Sequence, residues 1–441
     1  MKRNGLYIIL CAILAVLLFL PMIQQHAHPF SLRKLDGAAL ESDCPELRFE
    51  TYKDQSYQTQ LEKYVGDHFG FREWVIRLYN QYLWLYRKTY AADVVVGKDR
   101  WLYGISGVQD HYRQLAYEFA ESNEALERQF EKDLDRLSKV QDLLEQRGVR
   151  FFVMVCPSKE VLYPEHLSEY GKRVMGDGLR AREYYLKAFG ERGIHCLDLC
   201  TWFQQIKDTV DYPIFPQTGL HWSDIACAHA ADTMIRYMED LTGKNMPNIR
   251  LGAPYWDKTL YPDNDLEKSM NLIWPIRPNQ NLYAKATMVP DSTAQRLRLL
   301  TIGDSFIFNF GYVLPMDKLF KTHHHWYYFS SVFYDPDHTH VSQVDLLEEF
   351  RNTDVVMLCF NTSKLYNINC GFLSRALVEL SLDSPEALER IVDDIKHQME
   401  NNEAWQESLK KKAVDRGQSL EQVMREDALY LISQNPEAYL D

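Results

Sequence analysis

Ser305 and His221 are the two side chains in this sequence whose surroundings best suit acyl transfer. Ser305 follows Leu299-Leu300-Thr301-Ile302-Gly303-Asp304, an apolar run with β-branched members that reads as a short buried strand ending at a glycine. A serine just past the carboxyl end of a parallel strand stands where α/β folds expose reactive groups. There its hydroxyl lies close to backbone N–H groups that can hold an oxyanion. Such a nucleophile needs a base, and Thr218-Gly219-Leu220-His221-Trp222-Ser223 offers a histidine directly ahead of a helical pattern. A Gly-Asp-Ser turn alone is common in proteins; paired with a His-Trp at the mouth of a helix it points to serine chemistry. The reading is therefore Ser305 as nucleophile and His221 as general base. Gly303, Asp304 and Asn361 are expected to support the oxyanion, Asn361 because it follows the apolar run Val355 to Phe360.

Other candidates carry less. Trp222, beside the base, is a candidate substrate contact. Lys159 follows a strand end and either touches an anionic substrate or is an ordinary solvated lysine. His323-His324-His325, with His338 and His340, invites a metal reading. Consecutive residues on a strand point to opposite faces, so the run cannot converge on one ion; surface polarity is expected, and neither metal nor cofactor. The 27 tyrosines and nine tryptophans suit sugar stacking and an ordinary large core equally well.

The elements that must position these groups alternate. Strands are expected at Phe151 to Cys156, Ile194 to Leu199, Leu297 to Ile302, Trp326 to Phe329 and Val355 to Phe360, with helices over 178–189, 224–238 and 341–350. This order predicts an α/β fold with a mainly parallel sheet covered on both faces. The Ser305 strand should be central, because Leu299 to Ile302 lacks the alternation of a half-exposed strand. Glu124 to Arg147 is a strong amphipathic helix, and Val94 to Tyr103 reads as two short strands around a turn. Leu61 to Tyr90 is helical and aromatic-rich. Residues 243–295, rich in Pro, Asn and Asp, form a long insertion before the serine strand. After Ser384-Pro385 the tail is helical, and a second helix opens at the capping box Ser419-Leu420-Glu421-Gln422.

At 441 residues and a net charge of −13, the chain is large enough for one big core plus appendages and is an unlikely match for nucleic acid. Lys2 and Arg3 precede nineteen uncharged residues, Gly5 to Ile23, long enough to cross a bilayer with the basic end cytoplasmic. A cleaved signal peptide is the rival reading, weakened by the long apolar stretch and the bulky residues after it. The expected organisation is an anchor over 1–23, a tether and N-terminal helical and hairpin region over 24–122, the main domain over 123–380, and a helical extension over 381–441. Of the eight cysteines, Cys11 falls in the span; the others are expected to be mostly buried thiols, with at most one bridge.

Several motifs together resemble the SGNH-hydrolase-like domain of alginate O-acetylation proteins (AlgX/AlgJ-like). They are the Gly303-Asp304-Ser305 turn, His221-Trp222, the hairpin Gly97-Lys98-Asp99-Arg100-Trp101-Leu102, Pro157-Ser158-Lys159-Glu160 with Tyr163-Pro164-Glu165, and Asp67-His68-Phe69-Gly70-Phe71-Arg72. The resemblance covers about residues 60–365. It implies a three-layer α/β/α, flavodoxin-like sandwich, circularly permuted so that the histidine precedes the nucleophile, with an N-terminal transmembrane helix; the C-terminal helical extension lies outside the resemblance. It also implies a periplasmic O-acetyltransferase or acetylesterase on the inner membrane, acting on a polysaccharide and supplied by a membrane O-acyltransferase. One position departs: the family carries Asp-x-His-Trp, and here the aspartate is Gly219. Three arrangements follow. Asp224 or Asp265 orients the histidine instead, a backbone carbonyl holds it in a Ser-His dyad, or the site is inactive and the protein is a glycan-binding scaffold.

Overall fold

The computed structural model describes residues 2–37, 42–86, 93–168, 175–333, 339–434 and 438. Helix α1 (Lys2–Ala27) is the apolar N-terminal segment. A helical turn at Phe49–Lys53 leads to α2 (Ser56–Asp67) and α3 (Arg72–Leu85). The expected irregular tether is thus partly helical, and the helical stretch from Leu61 breaks at His68–Phe71; its residues beyond 86 lie outside the described ones. Strands β1 (Val94–Val96) and β2 (Leu102–Gly104) form the expected antiparallel hairpin.

The main domain then alternates. Helix α4 (Asn123–Gln146) leads to β3 (Arg150–Cys156), α5 (Ala181–Arg192) and β4 (Cys196–Asp198). Helix α6 (Asp224–Thr242) follows. The insertion folds as two antiparallel ribbons, β5 (Asn248–Leu251) with β8 (Ala286–Val289) and β6 (Tyr255–Lys258) with β7 (Gln280–Tyr283). Between β6 and β7 lies the short helix α7 (Asp265–Ser269). The chain continues through β9 (Arg298–Gly303), α8 (Phe306–Val313), β10 (Thr322–Tyr327), β11 (Ser331–Phe333), β12 (Val355–Asn361) and α9 (Phe372–Leu382).

The six-stranded sheet has the order β11-β10-β9-β12-β3-β4. Its ladders are parallel except for the edge pair β10–β11. Strand β9 is interior and buried on both faces, as its apolar run predicts. Along β3 the side chains alternate between two cores: Phe151, Val153 and Val155 face α4, α5 and α9, whereas Phe152, Met154 and Cys156 face α6 and α8. The sheet is therefore the middle layer of an α/β/α sandwich, and β9 and β12 deliver their carboxyl ends side by side.

Helices α10 (Pro385–Glu400), α11 (Glu403–Arg416) and α12 (Leu420–Gln434) form the tail. The first and last match the expected caps. The middle one buries Leu409 and Ala413, too thin a stripe to register as a period. All eight cysteines are free thiols; Cys156 and Cys359 face each other from adjacent strands in a thiol–thiol hydrogen bond of 3.6 Å, with no disulfide.

Candidate active site

Gly303 ends β9 where it presses hardest on β12: a Cβ there would lie 1.9 Å from the Cys359 carbonyl oxygen. The close approach lets Asp304 N–H donate to that carbonyl at 3.0 Å. The buried Asp304 carboxylate then ties the turn together. Its Oδ1 accepts from Phe306 N–H at 3.0 Å and its Oδ2 from Asn361 N–H at 2.8 Å. Burial raises the Asp304 pKa, against the pull of these two amides. Asp304 is thus a fastener between the ends of β9 and β12, and Ser305 is presented at the start of α8.

His221 meets this serine. Its Nε2 lies 2.8 Å from Ser305 Oγ, and its Nδ1 lies 2.6 Å from Asp265 Oδ2. The imidazole also packs edge-on against Phe306, ring centroids 5.0 Å apart. With an acidic partner on Nδ1, that nitrogen carries the proton and Nε2 is left to accept from the serine hydroxyl. Both imidazole and carboxylate are largely shielded, 13% and 16% exposed, so water competes weakly for these bonds.

Asp265 comes from α7 of the insertion. Its second oxygen accepts from the N–H groups of Leu220 and Leu266, each at 2.7 Å. One carboxylate therefore holds both the imidazole and the backbone beside it. Leu266, Met270, Leu272 and Ile276 pack with Leu83, Val94 and Leu102, which fixes the helix against the N-terminal hairpin and α3. Gly219 makes the arrangement possible, since a Cβ there would stand 2.6 Å from the Asp263 carbonyl oxygen. The glycine lets the segment bearing the acid approach the histidine loop.

Asp224, the other candidate acid, is not in this relay. Both His221 nitrogens are engaged elsewhere; burial pushes the Asp224 carboxyl up to about 6, and its Oδ1 finds no partner among the described residues. Two substrate-binding expectations are corrected as well. Trp222 is fully buried among Phe306, Phe310 and Phe203, with ring centroids at 5.3, 5.5 and 6.4 Å. Its place in the core follows from preceding α6, whose inward face it extends. Lys159 is 1% exposed, and its Nζ donates to the carbonyls of Leu102, Gln217 and Gly219 at 2.8, 2.9 and 2.9 Å. All three ammonium protons are used, so it braces the β2 hairpin and the histidine loop rather than meeting substrate. Burial lowers its pKa to about 7, opposed by Glu160, Asp265 and Asp263.

Asn361 accepts from Ser363 N–H at 3.0 Å and Ser363 Oγ at 2.8 Å through Oδ1, which leaves the NH2 end of its amide as the donor. The histidine run is not surface polarity throughout. His323 and His325 share one face of β10, and His325 is 1% exposed with no hydrogen-bond partner on either ring nitrogen among the described residues. His324 points the other way and meets Glu349 at 2.6 Å; His338 lies outside the described residues. Sequence reasoning also passed over an exposed aromatic pair. Tyr261, four positions before Asp265, and Tyr312, on the helix that follows Ser305, meet edge-on at 5.9 Å, with Lys268 Nζ 4.6 Å over the Tyr261 ring.

Residues 94–303 match the family described as SGNH hydrolase-like domain, acetyltransferase AlgX. That segment holds His221 and Asp265 and stops just short of Ser305. The probable alginate O-acetylase AlgJ of Pseudomonas aeruginosa is 26% identical over 212 residues, 46% of each chain. AlgJ of Pseudomonas syringae pv. tomato is 28% identical over 141 residues, 32% of each. The chain therefore spans less than half the length of these curated relatives. Among solved structures, the O-acetyltransferase domain of Pseudomonas putida AlgJ is 14% identical, covering 64% of this chain and 98% of that one at a TM-score of 0.41. Pseudomonas aeruginosa AlgX is 13% identical, covering 63% and 67% at 0.40.

Proposed function

We propose that this chain, which carries an AlgX/AlgJ-like SGNH hydrolase-like domain, is a membrane-anchored periplasmic O-acetyltransferase that works through Ser305, His221 and Asp265 on an exported polysaccharide. The observation that carries the reading is the continuous relay from Asp265 Oδ2 through the imidazole to Ser305 Oγ, with steps of 2.6 and 2.8 Å. Ser305 Oγ attacks the acetyl carbonyl of a donor ester while His221 Nε2 takes its proton. The bond to the donor alcohol breaks, and the imidazolium returns the proton to the departing oxygen, leaving acetyl-Ser305. A sugar hydroxyl then gives its proton to Nε2 and attacks the acyl carbon, releasing Ser305. Water in place of the sugar gives esterase turnover. Asp265 keeps the Nδ1 proton in place and stabilises the imidazolium. The N–H of Ser305 and the Asn361 amide are the proposed donors to the developing oxyanion.

The names of the curated relatives support a polysaccharide acceptor, and the apolar helix from Gly5 to Ala27 supports a single span of the inner membrane. A membrane O-acyltransferase is the corresponding donor partner. The scaffold reading rested on Gly219; Asp265 beside His221 supports the enzyme reading instead. The test is the full chain in detergent micelles with a chromogenic acetyl ester. Acetate release that rises with enzyme, and partial diversion of acetyl groups onto added polysaccharide, are expected; release no faster than from Ser305→Ala would reject the proposal.

A further inference from the structure

Helix α3 buries Leu83 on its inner side and turns a second apolar stripe outward. Trp74, Val75, Leu78, Tyr79, Leu85 and the capping Tyr86 are between 49% and 65% exposed, and at 100° per residue they fall within an arc of about 140°. The polar residues face inward. Arg77 donates to the Lys34 carbonyl at 2.9 Å, Asn80 to the Met270 carbonyl at 2.7 Å, and Gln81 accepts from the N–H groups of Ile273 and Trp274 at 3.2 and 3.1 Å. Arg77 and Gln81 are buried. A surface helix normally turns its apolar stripe to the core and its polar face to water. An exposed apolar stripe of this extent, opposite an inner face that holds Arg77 and Gln81, is the mark of a surface made to contact something other than bulk water.

The start of α3 says what the medium is. The end of α1 is seated on it: a Cβ on Gly70 would lie 1.9 Å from the Pro21 carbonyl oxygen and 2.7 Å from Gln25 N, an approach open only to glycine. Gln24 accepts from Phe30 N–H at 3.0 Å and donates to its carbonyl at 2.8 Å. This folds the chain back so that Phe30 meets Phe71, ring centroids 6.0 Å apart. The apolar span of α1 therefore ends where the outward stripe of α3 begins. That stripe is led by Trp74 and closed by Tyr86, the residue types that settle at the bilayer–water boundary.

We propose that the outward face of α3 is embedded in the headgroup region of the bilayer that α1 crosses, fixing how the active-site domain is held against the membrane. The proposal rests on reading α1 as a membrane span. Because the inward face of α3 holds the backbone of residues 270–274, directly after the helix bearing Asp265, the membrane contact and the catalytic acid share one rigid support.

The test uses the full chain in phosphatidylcholine–phosphatidylglycerol vesicles. Single cysteines are labelled with an environment-sensitive fluorophore, with the exposed Cys11 and Cys44 changed to serine. Labels at Leu78→Cys and Leu85→Cys report on α3, one at Leu14→Cys on the span, and one at Val414→Cys on the distant tail. Shallow spin-labelled lipid should quench positions 78 and 85 at least about twofold more than position 414, and midplane spin label should quench position 14. Position 14 quenched with 78 and 85 no different from 414 overturns the proposal and leaves the span standing. Position 14 unquenched rejects the span, and the proposal with it. A blue-shifted but unquenched label at 78 means that protein, not lipid, covers α3, which also overturns it. A variant whose thermal midpoint departs from wild type is replaced by Val75→Cys, on the same stripe.

Discussion

Asp265 and Gly219 act as one device. The acid reaches His221 from 44 positions downstream, and it can do so because position 219 has no side chain to keep the Asp263 backbone away. Replacing Asp265 with asparagine should lower esterase turnover by about 10⁴, the loss expected when an orienting carboxylate no longer selects the tautomer. Asp224→Asn, outside the relay, should stay near wild type; equal losses from the two, read from initial rates, would dissolve the assignment. Placing aspartate at 219 reverses the effect that the family pattern suggests. Its Cβ meets backbone, so Gly219→Asp should destabilise the fold by about 1–3 kcal/mol and slow the reaction, measurable by urea unfolding and steady-state rates. Ser305 and His221 were legible in the sequence because each sits at a recognisable joint, strand to helix and loop to helix. Asp265 was legible only as one of two carboxylates, since its position depends on how a long insertion folds back. Lys159 and Trp222 were misread for a related reason: the default for a lysine is solvent, and nothing local announces three carbonyls around it.

Elements explain why the joints hold. The parallel strands were legible because β3, β9 and β12 are apolar on both faces; the short edge strand β11 and helix α11, with few buried side chains, left no such mark. The short helix Lys159–Leu162 after β3 carries the brace for the histidine loop and, beside it, a buried acid. Glu160 has a carboxyl that burial pushes up to about 7, and its Oε1 has no hydrogen-bond partner among the described residues. Because its folded pKa lies above the ordinary 4.5, its contribution to stability is fully present below that value and is lost as pH rises through about 7. Glu160→Gln should therefore gain on wild type across that window, by about 1–3 kcal/mol at its upper end. Denaturant midpoints at pH 5 and pH 8 read this directly, and a gap that is constant or shrinks with pH would contradict it. Lys159→Met should lower turnover and stability together, because three buried carbonyls lose their donor at about 1–3 kcal/mol for each group left unsatisfied. Full activity in that variant would show that the histidine loop stands without the brace.

At the scale of the whole molecule, the sandwich carries Ser305 and His221, the insertion carries Asp265, and the N-terminal helices connect that insertion to the apolar helix α1. The tail stands apart: Val392, Ile395, Met399, Leu409, Val423 and Ala428 form an apolar cluster of their own. A chain ending after Asp383 should keep acetyl ester turnover within about twofold of the full chain, as expected of a unit with its own core; loss of turnover with an intact thermal transition would assign the tail a part in the site. Tyr261 and Tyr312 should matter for large acceptors alone, so alanine at either position should weaken transfer to polysaccharide and leave hydrolysis of a small acetyl ester unchanged. The most direct test of the account is to quench the full chain in acid during turnover of an acetyl ester and map the peptides by mass. One acetyl group on Ser305 in the wild-type chain, absent from Ser305→Ala, is the predicted result. Turnover with no acetyl group on Ser305, or undiminished turnover in Ser305→Ala, would contradict it.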